Sequence, residues 1–494
     1  MADEEPQTGS SVTQLIVTLR RTSFAEASAR TRKVLDDKLD ADGTRALRRQ
    51  FDGETRVQPP RHKGHSEGFD VIESLERDGL LLDVNPLVLP VAGRRSYAQS
   101  LPLGAGRLPT AAAESFSSSV GRPSDHILSG TMLLSFADSD KASAALKRLS
   151  QATGAVERVE HVPVRRLIAS APGAVGPAWH LQRIGVDRAR QQPGYLDGST
   201  VTIATFDTGI DAGHPMLQPG ILKYTSSYPG APPSSPRDLG AHGSFVAGVI
   251  GARGGVDGVG RSRFRVLKVF HDSIDAYQPM HRTDGSLFYA AQSAPDEGMY
   301  VLALGYCLDE NIPVLNFSLG YDSLHSREAE IFAGYARNGQ AVIAATGNGG
   351  VGAPTLFPAG HDGAIAVGAL DRDDRAANFS SSARFMHISA PGVDIVGTMP
   401  TYAGATEFEP DAANPNKPGA PIPWSTTTGT MSGTSAATPQ VAAAAALWIA
   451  RNGRDLNLMR DRLAATARKV PEMGGAVRTD RHGFGCLDVA ALLA

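Results

Sequence analysis

The sequence predicts an α/β protein with a doubly wound, mostly parallel sheet flanked by helices, preceded by a smaller α+β N-terminal domain. From about residue 177 onward, short and nearly continuous apolar runs alternate with helical stretches, which is typical of parallel strands covered on both faces. Before about residue 170, a strand, a helix and a strand follow one another after long polar stretches. Ligands of doubly wound sheets bind beyond the carboxyl ends of the strands, so polar residues directly after the strands are the first candidate site residues.

Local patterns predict the elements of the N-terminal domain. An apolar-alternating run at Val12–Arg20 predicts a strand, and Ser23 caps a predicted helix that runs to about Arg49. Val71–Val91 predicts a short helix followed by a strand. The remaining predicted elements are the strand Thr131–Phe136, the helix Asp138–Gln151 and the strand Ala155–Val162.

Alternating strands and helices predict the C-terminal domain. The apolar runs that predict strands are Val201–Phe206, Arg265–Phe270, Val314–Leu319, Ala341–Thr346 and Ala364–Leu370. Helices are predicted at Ser244–Gly251, Asp296–Asn311, Leu324–Asn338 and Ala436–Arg451. This order favours a parallel sheet, because each strand is followed by a helix that can cross over to the next.

The length of 494 residues is enough for two or three domains. We predict an N-terminal domain at residues 1–170 and a C-terminal domain at residues 177–494. Residues 98–126 are rich in Ser, Ala, Gly and Pro without periodicity, which predicts a flexible linker within the first domain.

Charge and composition argue against several classes of protein. Forty-eight Lys and Arg oppose 51 Asp and Glu, and no run of like charges reaches five residues, so neither nucleic acid nor a membrane is an expected partner. No apolar stretch approaches the ~20 residues that span a bilayer, and the acidic start lacks the order of a secretory signal, so we expect a cytoplasmic protein. The two cysteines, Cys307 and Cys486, are expected to be reduced and packed.

Two polar motifs contain an aspartate and a histidine at the edges of predicted elements. Asp207 follows the run Val201–Phe206 and precedes a glycine turn, so its carboxylate could hold a histidine in one tautomer. His242 opens a helix packed through Gly and Ala, which could bring its ring close to a strand end. Taken alone, Asp207 is equally compatible with a turn or a helix cap, and His242 with a packed structural histidine.

Two further motifs contain an asparagine and a serine. Asn348 follows the run Ala341–Thr346 between glycines, where its amide could donate into a cleft or simply form a turn. Ser435 precedes Pro439, and because proline is tolerated in the first turn of a helix, Ser435 is predicted to lie at a helix N-terminus. The helix dipole favours negative charge there, although an isolated serine at such a position is usually an N-cap.

Together, these four motifs resemble those of the subtilisin-like serine peptidases. Asp-Thr-Gly-Ile-Asp at 207–211, His-Gly-Ser-x-Val-Ala-Gly at 242–248 and Gly-Thr-Ser-x-Ala-x-Pro at 433–439 are similar to the three signatures of that family. The resemblance covers about Ala178 to the C-terminus. It implies a subtilisin-like fold and serine endopeptidase activity on a polypeptide substrate.

The resemblance also implies a role for each motif residue. Asp207 would orient and stabilise His242, which would act as general base and then as general acid, and Ser435 would be the nucleophile. Asn348 and the backbone N–H of Ser435 would form the oxyanion hole. No metal ligand is predicted and no cofactor is required for this chemistry.

The predicted substrate-binding strand is Asn316–Gly320, which is similar to the strand on which these enzymes hold the substrate backbone. A shortened turn from Asn348 to Pro358 brings Leu356 near the expected floor of the first specificity pocket, which predicts small or apolar side chains before the scissile bond. The predicted substrate-binding residues are Ser318, Leu319, Gly320 and Gly347.

The N-terminal domain is predicted to be an inhibitory and folding-assisting prosegment. It resembles the small α+β propeptides of this family, which cover the substrate cleft and leave their C-terminal strand in it. Residues 162–167 would be that strand, and cleavage would fall between about Leu167 and Trp179. A permanent regulatory or partner-binding domain is the alternative.

Several positions depart from the family pattern. Phe245 stands where a second histidine is common, Ala436 where methionine is usual, and Gln440 where histidine is usual. The loop Ala252–Gly260 lacks the asparagines that bind calcium in many relatives, so a structural calcium ion has no support in the sequence. The stretches Asp272–Pro295 and Tyr402–Trp424 are predicted insertions beside the cleft, either substrate-selecting or inert surface loops.

Two other functional classes remain as alternatives. Sedolisin-type acid peptidases also carry Ser-Gly-Thr-Ser, but they use a Glu and Asp pair and an Asp as oxyanion donor, which His242 and Asn348 argue against. A catalytically silent peptide-binding module is the non-enzyme alternative. Such proteins usually lose a catalytic residue, and none of the four is missing here.

Overall fold

The computed structural model describes residues 13–19, 71–72, 74–75, 77–81, 83–86, 131–162, 165–167, 178–225, 237–270, 276–281, 286–292, 295, 297–323, 326–402, 404–424 and 427–494. They form two compact units, of which the first ends at Val162 and the second begins with the strand Arg165–Leu167. The predicted helix that begins at Ser23 and the predicted linker at residues 98–126 lie outside the described residues. The predicted domain boundaries stay predictions.

The first unit contains a four-stranded antiparallel sheet. Its strands are β1 (Thr13–Leu19), β2 (Asp83–Pro86), β3 (Thr131–Phe136) and β4 (Val156–His161), in the order β2-β3-β1-β4. Helix α1 (Ser139–Gln151) connects β3 to β4, and the side chain of Asp138 caps it by accepting a hydrogen bond from the Lys141 N–H. The predicted strand, helix and strand therefore form, but β1 lies between the two strands and pairs with both.

The second unit begins with β5 (Arg165–Leu167) and is built around a seven-stranded parallel sheet. In the order of the sheet, the strands are β15 (Met386–Pro391), β14 (Ile365–Leu370), β13 (Ala341–Ala345), β11 (Val314–Phe317), β6 (Thr202–Asp207), β8 (Arg263–Lys268) and β7 (Ile221–Thr225). All six pairings between neighbours are parallel. The predicted α/β class and parallel sheet are confirmed.

The second unit also contains eight described α-helices. They are α2 (Trp179–Arg183), α3 (Val186–Arg190), α4 (His242–Gly251), α5 (Glu297–Asp309), α6 (Ser326–Arg337), α7 (Thr434–Asn452), α8 (Leu456–Thr466) and α9 (Val489–Leu493). Helix α7 is buried along almost its whole length and contacts α4 and the central strands. Its run of alanines explains this position, because small apolar side chains on every face allow a helix to pack inside a core. None of the described helices is long and apolar enough to cross a membrane.

Two strands of the parallel sheet, β15 and β7, are not predicted from the sequence. Polar residues interrupt β15, and their partners come from distant parts of the chain: the Ser389 hydroxyl donates to the His482 carbonyl, and His387 Nε2 bonds the Arg460 carbonyl. An apolar pattern cannot reveal such a strand, because its polar groups are satisfied only in the folded chain.

The two predicted insertions form one four-stranded antiparallel sheet. Its strands are β9 (Ala276–His281), β10 (Leu287–Gln292), β17 (Ala405–Pro410) and β18 (Pro418–Pro423). Their order is β18-β17-β10-β9, and the central pair aligns Tyr289 with Phe408. We call it the insertion sheet. Its described residues are thus largely regular structure, and both predicted roles, substrate selection or an inert surface, stay predictions.

Both cysteines are free and buried, as predicted. Burial raises the pKa of the Cys307 thiol well above its ordinary value and that of Cys486 to about 12. Both therefore stay protonated near neutral pH, which keeps them unreactive.

His180 should make the protein sensitive to acid. Its ring is fully buried, neither ring nitrogen bonds a described residue, and burial lowers its pKa from 6.5 to about 3. Below pH 6.5, His180 is protonated in the unfolded chain but stays neutral in the folded protein, so the free energy of unfolding falls as the pH falls toward 3. We expect this one group to cost about 3 kcal/mol between pH 7 and pH 4. Urea unfolding of His180→Leu should show a shallower acid dependence than that of wild type, and an equal dependence would contradict this expectation.

Candidate active site

The side chains of the four motifs meet at one edge of the central sheet. Asp207 is the last residue of β6, and Asn348 follows β13. His242 is the first residue of α4, and Ser435 is the second residue of α7. Strand ends and helix starts meet at the carboxyl edge of a parallel sheet, which is the expected place for a site.

Asp207, His242 and Ser435 form a continuous hydrogen-bonded chain. His242 Nδ1 lies 2.8 Å from Asp207 Oδ1, and His242 Nε2 lies 3.1 Å from Ser435 Oγ. None of the three residues is more than 3% exposed. An acceptor on one imidazole nitrogen and a hydroxyl on the other can hold the ring in the tautomer that removes a proton from serine.

A close approach between α4 and the turn after β6 sets the position of His242. A Cβ on Gly243 would lie 2.1 Å from the Gly209 carbonyl oxygen, so only glycine permits this contact. Ala241 precedes the helix with φ 56° and offers no side-chain cap. Instead, the Gly243 N–H donates to Thr208 Oγ1 and the Ser244 N–H donates to Asp238 Oδ2.

Two carboxylates influence the protonation of His242. Burial lowers the pKa of His242, but the charge of Asp207, its hydrogen bond and the charge of Asp238 raise it, and the pKa is raised overall. Burial raises the pKa of the Asp238 carboxyl group, because it disfavours the charged form. Hydrogen bonds from Thr208 and Ser244 lower this pKa, but it stays above its ordinary value. A carboxylate shortly before a helix can cap it, but the sequence does not show which N–H it binds, so Asp238 was not among the predicted site residues.

Ser435 lies at the helix start, as predicted, but Pro439 lies beyond the first turn. Because Pro439 has no N–H, it cannot bond the Ser435 carbonyl four residues earlier. The Ser318 hydroxyl donates to that carbonyl instead, at 3.0 Å. Ser318, a predicted substrate-binding residue, is thereby joined to the predicted nucleophile. The cap residue of α7 is Gly433, so the Ser435 hydroxyl is not needed as an N-cap.

Thr434 orients Asn348 beside Ser435. The N–H and the hydroxyl of Thr434 both donate to Asn348 Oδ1, at 2.9 and 3.0 Å. This orientation turns the amide nitrogen of Asn348 away from Thr434. Ser435 is in the first turn of α7, so its N–H has no acceptor within the helix. Thr434 was not among the predicted site residues, because its place inside the serine motif gives no sign that it bonds Asn348.

Next to this site, a short antiparallel ladder joins β5 to β12 (Leu319–Tyr321). Leu319 is paired with Leu167 and Gly320 with Arg166. Two of the predicted substrate-binding residues thus accept an extended segment of this chain. Gly347, the fourth, has φ 110°, and a Cβ on it would lie 2.7 Å from Leu356 Cδ1, so Leu356 packs against the turn that leads to Asn348.

The departures from the expected pattern have structural roles. Phe245 is buried, and its ring would lie 2.5 Å from a Cβ on Gly397 in strand β16 (Ile395–Thr398), so the bulk of Phe245 is accommodated by glycine. Gln440 is also buried, and its Nε2 donates to the Pro391 and Ala436 carbonyls. Both side chains are thus accommodated by other groups, and the hydrogen bonds of His242 keep their geometry.

The loop Ala252–Gly260 does not fit a calcium ion. The Ala252 carbonyl accepts hydrogen bonds from the Gly258 N–H and from Arg261 Nη1. Arg253 Nη2 donates to the Arg261 carbonyl, so guanidinium groups already bind two carbonyl oxygens that a cation would need as ligands. Within the described ranges, no group of three or more His, Cys, Asp or Glu side chains could hold a metal.

Comparisons with known proteins identify one family model and several similar proteins. The family model described as Subtilase family matches residues 198–485. The "Thermophilic serine proteinase" of Bacillus sp. (strain AK1) is 34% identical over 281 residues, covering 55% of this chain and 57% of that protein. "Subtilisin E" of Bacillus subtilis (strain 168) is 31% identical over 286 residues, covering 56% and 63%. "Subtilisin Savinase" of Lederbergia lenta is 31% identical over 320 residues, covering 63% of this chain and 97% of that protein.

A solved structure shares the fold. Fervidolysin from Fervidobacterium pennivorans, described as a keratinolytic enzyme related to subtilisin, matches 99% of this chain with a TM-score of 0.61 and 17% identity. The match covers 62% of the fervidolysin chain. The thermophilic proteinase and subtilisin E are likewise matched over less than two thirds of their lengths, at 57% and 63%.

Proposed function

Because the chain belongs to the subtilase family, we propose that it is a serine endopeptidase that hydrolyses peptide bonds through an acyl-enzyme. The observation that carries this proposal is the buried chain of hydrogen bonds from Asp207 through His242 to Ser435. A serine hydroxyl is a weak nucleophile near neutral pH and needs a base within hydrogen-bond reach.

In the first half of the reaction, His242 Nε2 takes the proton of Ser435 Oγ as the oxygen attacks the peptide carbonyl carbon. The Asn348 amide and the Ser435 N–H stabilise the negative oxygen of the tetrahedral intermediate. His242 then returns the proton to the leaving amine, and the carbon–nitrogen bond breaks. Water, activated by the same histidine, hydrolyses the acyl-enzyme. Subtilases generally need no cofactor for this catalysis.

A fluorophosphonate probe tests the proposal directly. The activated serine should react with the probe, and peptide mapping should place the label on Ser435. His242→Ala should remove the labelling, because the hydroxyl then lacks its base. A folded protein that neither reacts with the probe nor cleaves peptides would favour the silent binding module.

The pH dependence distinguishes the sedolisin-type alternative. Histidine acts as a base only when it is neutral, and Asp207 and Asp238 raise the pKa of His242. Activity should therefore rise with pH through a midpoint above the ordinary histidine value of about 6.5. An optimum below about pH 5, where His242 would be charged, would contradict the triad.

The ladder between β5 and β12 supports an inhibitory role for the N-terminal region. While Arg165–Leu167 is paired with Leu319–Tyr321, no substrate strand can add to the same edge. Residues 1–170 would then act as an intramolecular inhibitor, removed by cleavage between Leu167 and Trp179. A permanent regulatory domain remains the alternative.

Intact-mass measurement of wild type and Ser435→Ala protein tests this role. Wild type should lose its N-terminal region as activity appears, and the variant should keep it. An active wild type that keeps the region covalently attached would show that the region is a permanent domain.

The half-buried Leu356 beside Gly347 supports a preference for small or apolar side chains before the scissile bond. Cleavage of a peptide library would measure this preference directly. A strong preference for charged side chains would contradict it. The cytoplasmic location predicted from the sequence stays a prediction.

Activity should outlast mild peroxide. Oxidation converts methionine to a bulky, polar sulfoxide, and Ala436, the neighbour of Ser435, has no sulfur. Met431 and Met399 lie nearby in the core, with exposures of 4% and 1%, which protects them. Activity and methionine oxidation should be followed together by mass spectrometry. Rapid loss that tracks oxidation of Met431 would disprove this expectation.

A further inference from the structure

Behind Asp207 and His242 lies a buried polar network that the proposed reaction does not use. Asp238 is fully buried, and the Thr208 hydroxyl donates to its Oδ1 at 2.6 Å. The Ser244 N–H donates to its Oδ2 at 2.7 Å, while the Gly243 N–H donates to Thr208 Oγ1 at 3.0 Å. The free amides at the start of α4 are therefore held by residues outside the helix, which satisfies donors that Ala241 cannot cap.

The backbone of Asp238 is held in turn by Tyr402. The Tyr402 hydroxyl accepts a hydrogen bond from the Asp238 N–H at 2.6 Å and donates to the Asp238 carbonyl at 3.1 Å. The guanidinium carbon of Arg237 lies 4.4 Å from the centre of the Tyr402 ring. Lys268 Nζ donates to the Arg237 and Thr208 carbonyls, at 3.0 and 2.6 Å, which holds the same segment from the side of the central sheet.

Tyr402 belongs to the base of the second insertion. The Trp424 indole N–H donates to the Tyr402 carbonyl at 2.7 Å, and the Trp424 backbone N–H donates to the Gly404 carbonyl. These bonds close the hairpin whose strand β17 pairs with β10 of the first insertion. The insertion sheet is therefore linked through the Tyr402 hydroxyl to the segment that caps the helix of His242.

We propose that Tyr402 is a positioning residue for the reaction: through Asp238 and Thr208 it holds the start of α4, and with it the His242 ring, in the geometry that reaches Ser435. This proposal rests on the proposed peptidase function. It gives the second insertion a role that neither a substrate-selecting nor an inert surface loop would have.

The charge of Asp238 also connects Tyr402 to His242. Asp207 and Asp238 both raise the pKa of His242, so a displaced Asp238 carboxylate would raise it less. The titratable and charged groups around the network are Asp207, Asp238, Asp211, Arg237, Lys268 and Tyr402 itself. Loss of the Tyr402 hydroxyl should therefore shift the titration of His242 to lower pH as well as disturb its position.

Tyr402→Phe tests the proposal, with Tyr289→Phe as a matched control. Tyr289 lies in the insertion sheet, and its hydroxyl donates to the Pro415 carbonyl rather than to the segment around Asp238. Tyr402→Phe should lower kcat by roughly 10–100-fold with little change in KM, because a small misplacement of a catalytic group affects the chemical step. The acid limb of the kcat/KM profile should move to lower pH.

Tyr289→Phe should resemble wild type in both measurements, and equal behaviour of the two variants would overturn the proposal.

A readout independent of activity separates this proposal from the proposed function. In a Ser435→Ala background, the NMR resonance of the His242 Nδ1 proton should titrate at lower pH when Tyr402→Phe is added. An unchanged titration would overturn the positioning role. An inactive, unlabelled wild type would instead overturn the peptidase proposal. If Tyr402→Phe fails to fold, Trp424→Phe removes the bond to the Tyr402 carbonyl and should shift the same resonance in the same direction; no shift would overturn the proposal.

Discussion

Replacing Ser435 by alanine should abolish peptide hydrolysis and leave the fold intact. The Ser435 hydroxyl contacts His242 Nε2 and, because Gly433 is the cap residue, it is not needed to cap α7. We expect kcat to fall on the order of 10⁶-fold, a magnitude known from a subtilisin and taken over from it. The free energy of unfolding should fall by only about 1 kcal/mol, because the substitution removes one hydrogen bond. Initial rates on a peptide substrate and urea unfolding measure the two effects.

Ser432→Ala is the matched control for this substitution. Ser432 lies three residues before Ser435, and its hydroxyl accepts a hydrogen bond from the Asp394 N–H. This variant should keep near-normal turnover. If Ser435→Ala kept its turnover as well, the assignment of the nucleophile would be wrong.

Asn348→Leu should have the second largest effect, a fall in kcat of about 10²–10³-fold with little change in KM, a magnitude known for such a donor in a subtilisin and taken over from it. The physical reason lies in the orientation of the amide: Thr434 holds Oδ1, so Nδ2 is the group available for a negative oxygen. Leucine has a similar volume but no donor.

Separate measurement of kcat and KM decides what Asn348 does. A donor that acts on the tetrahedral intermediate affects kcat, since the ground-state carbonyl carries less charge. A loss confined to KM would instead mean that Asn348 binds substrate. The NMR resonance of the His242 Nδ1 proton is the control for the geometry of the site, and it should be unchanged in this variant.

Local sequence determined most of the parallel sheet and the positions of the four motif residues. The run before Asp207 is apolar over most of its length, so its strand could be predicted, and Asp207 ends it as the pattern implied. His242 and Ser435 could be placed at helix starts for a similar reason, since Gly and Ala runs and a nearby proline mark such starts within a few residues. These signals are local, so they can be read without knowing which distant residues will pack against them.

Tertiary structure alone decided which distant groups satisfy one another. Pro439 suggested a helix start from the sequence, but only the fold revealed that its missing N–H frees the Ser435 carbonyl for Ser318, 117 residues away. The two insertions pair across more than a hundred residues, because each supplies strands whose backbone groups the other can bond.

The same distinction applies around the proposed triad. The sequence by itself indicated the family and the four motif residues, because the motifs resemble those of the family. It also indicated the sheet class, because apolar runs alternate with helical stretches. It could not identify Thr434 as the group that orients Asn348, or Asp238 and Tyr402 as the groups that hold the helix of His242. Buried hydrogen bonds are made by whichever donors and acceptors the packing brings within about 3 Å, and that proximity exists only once the chain has folded.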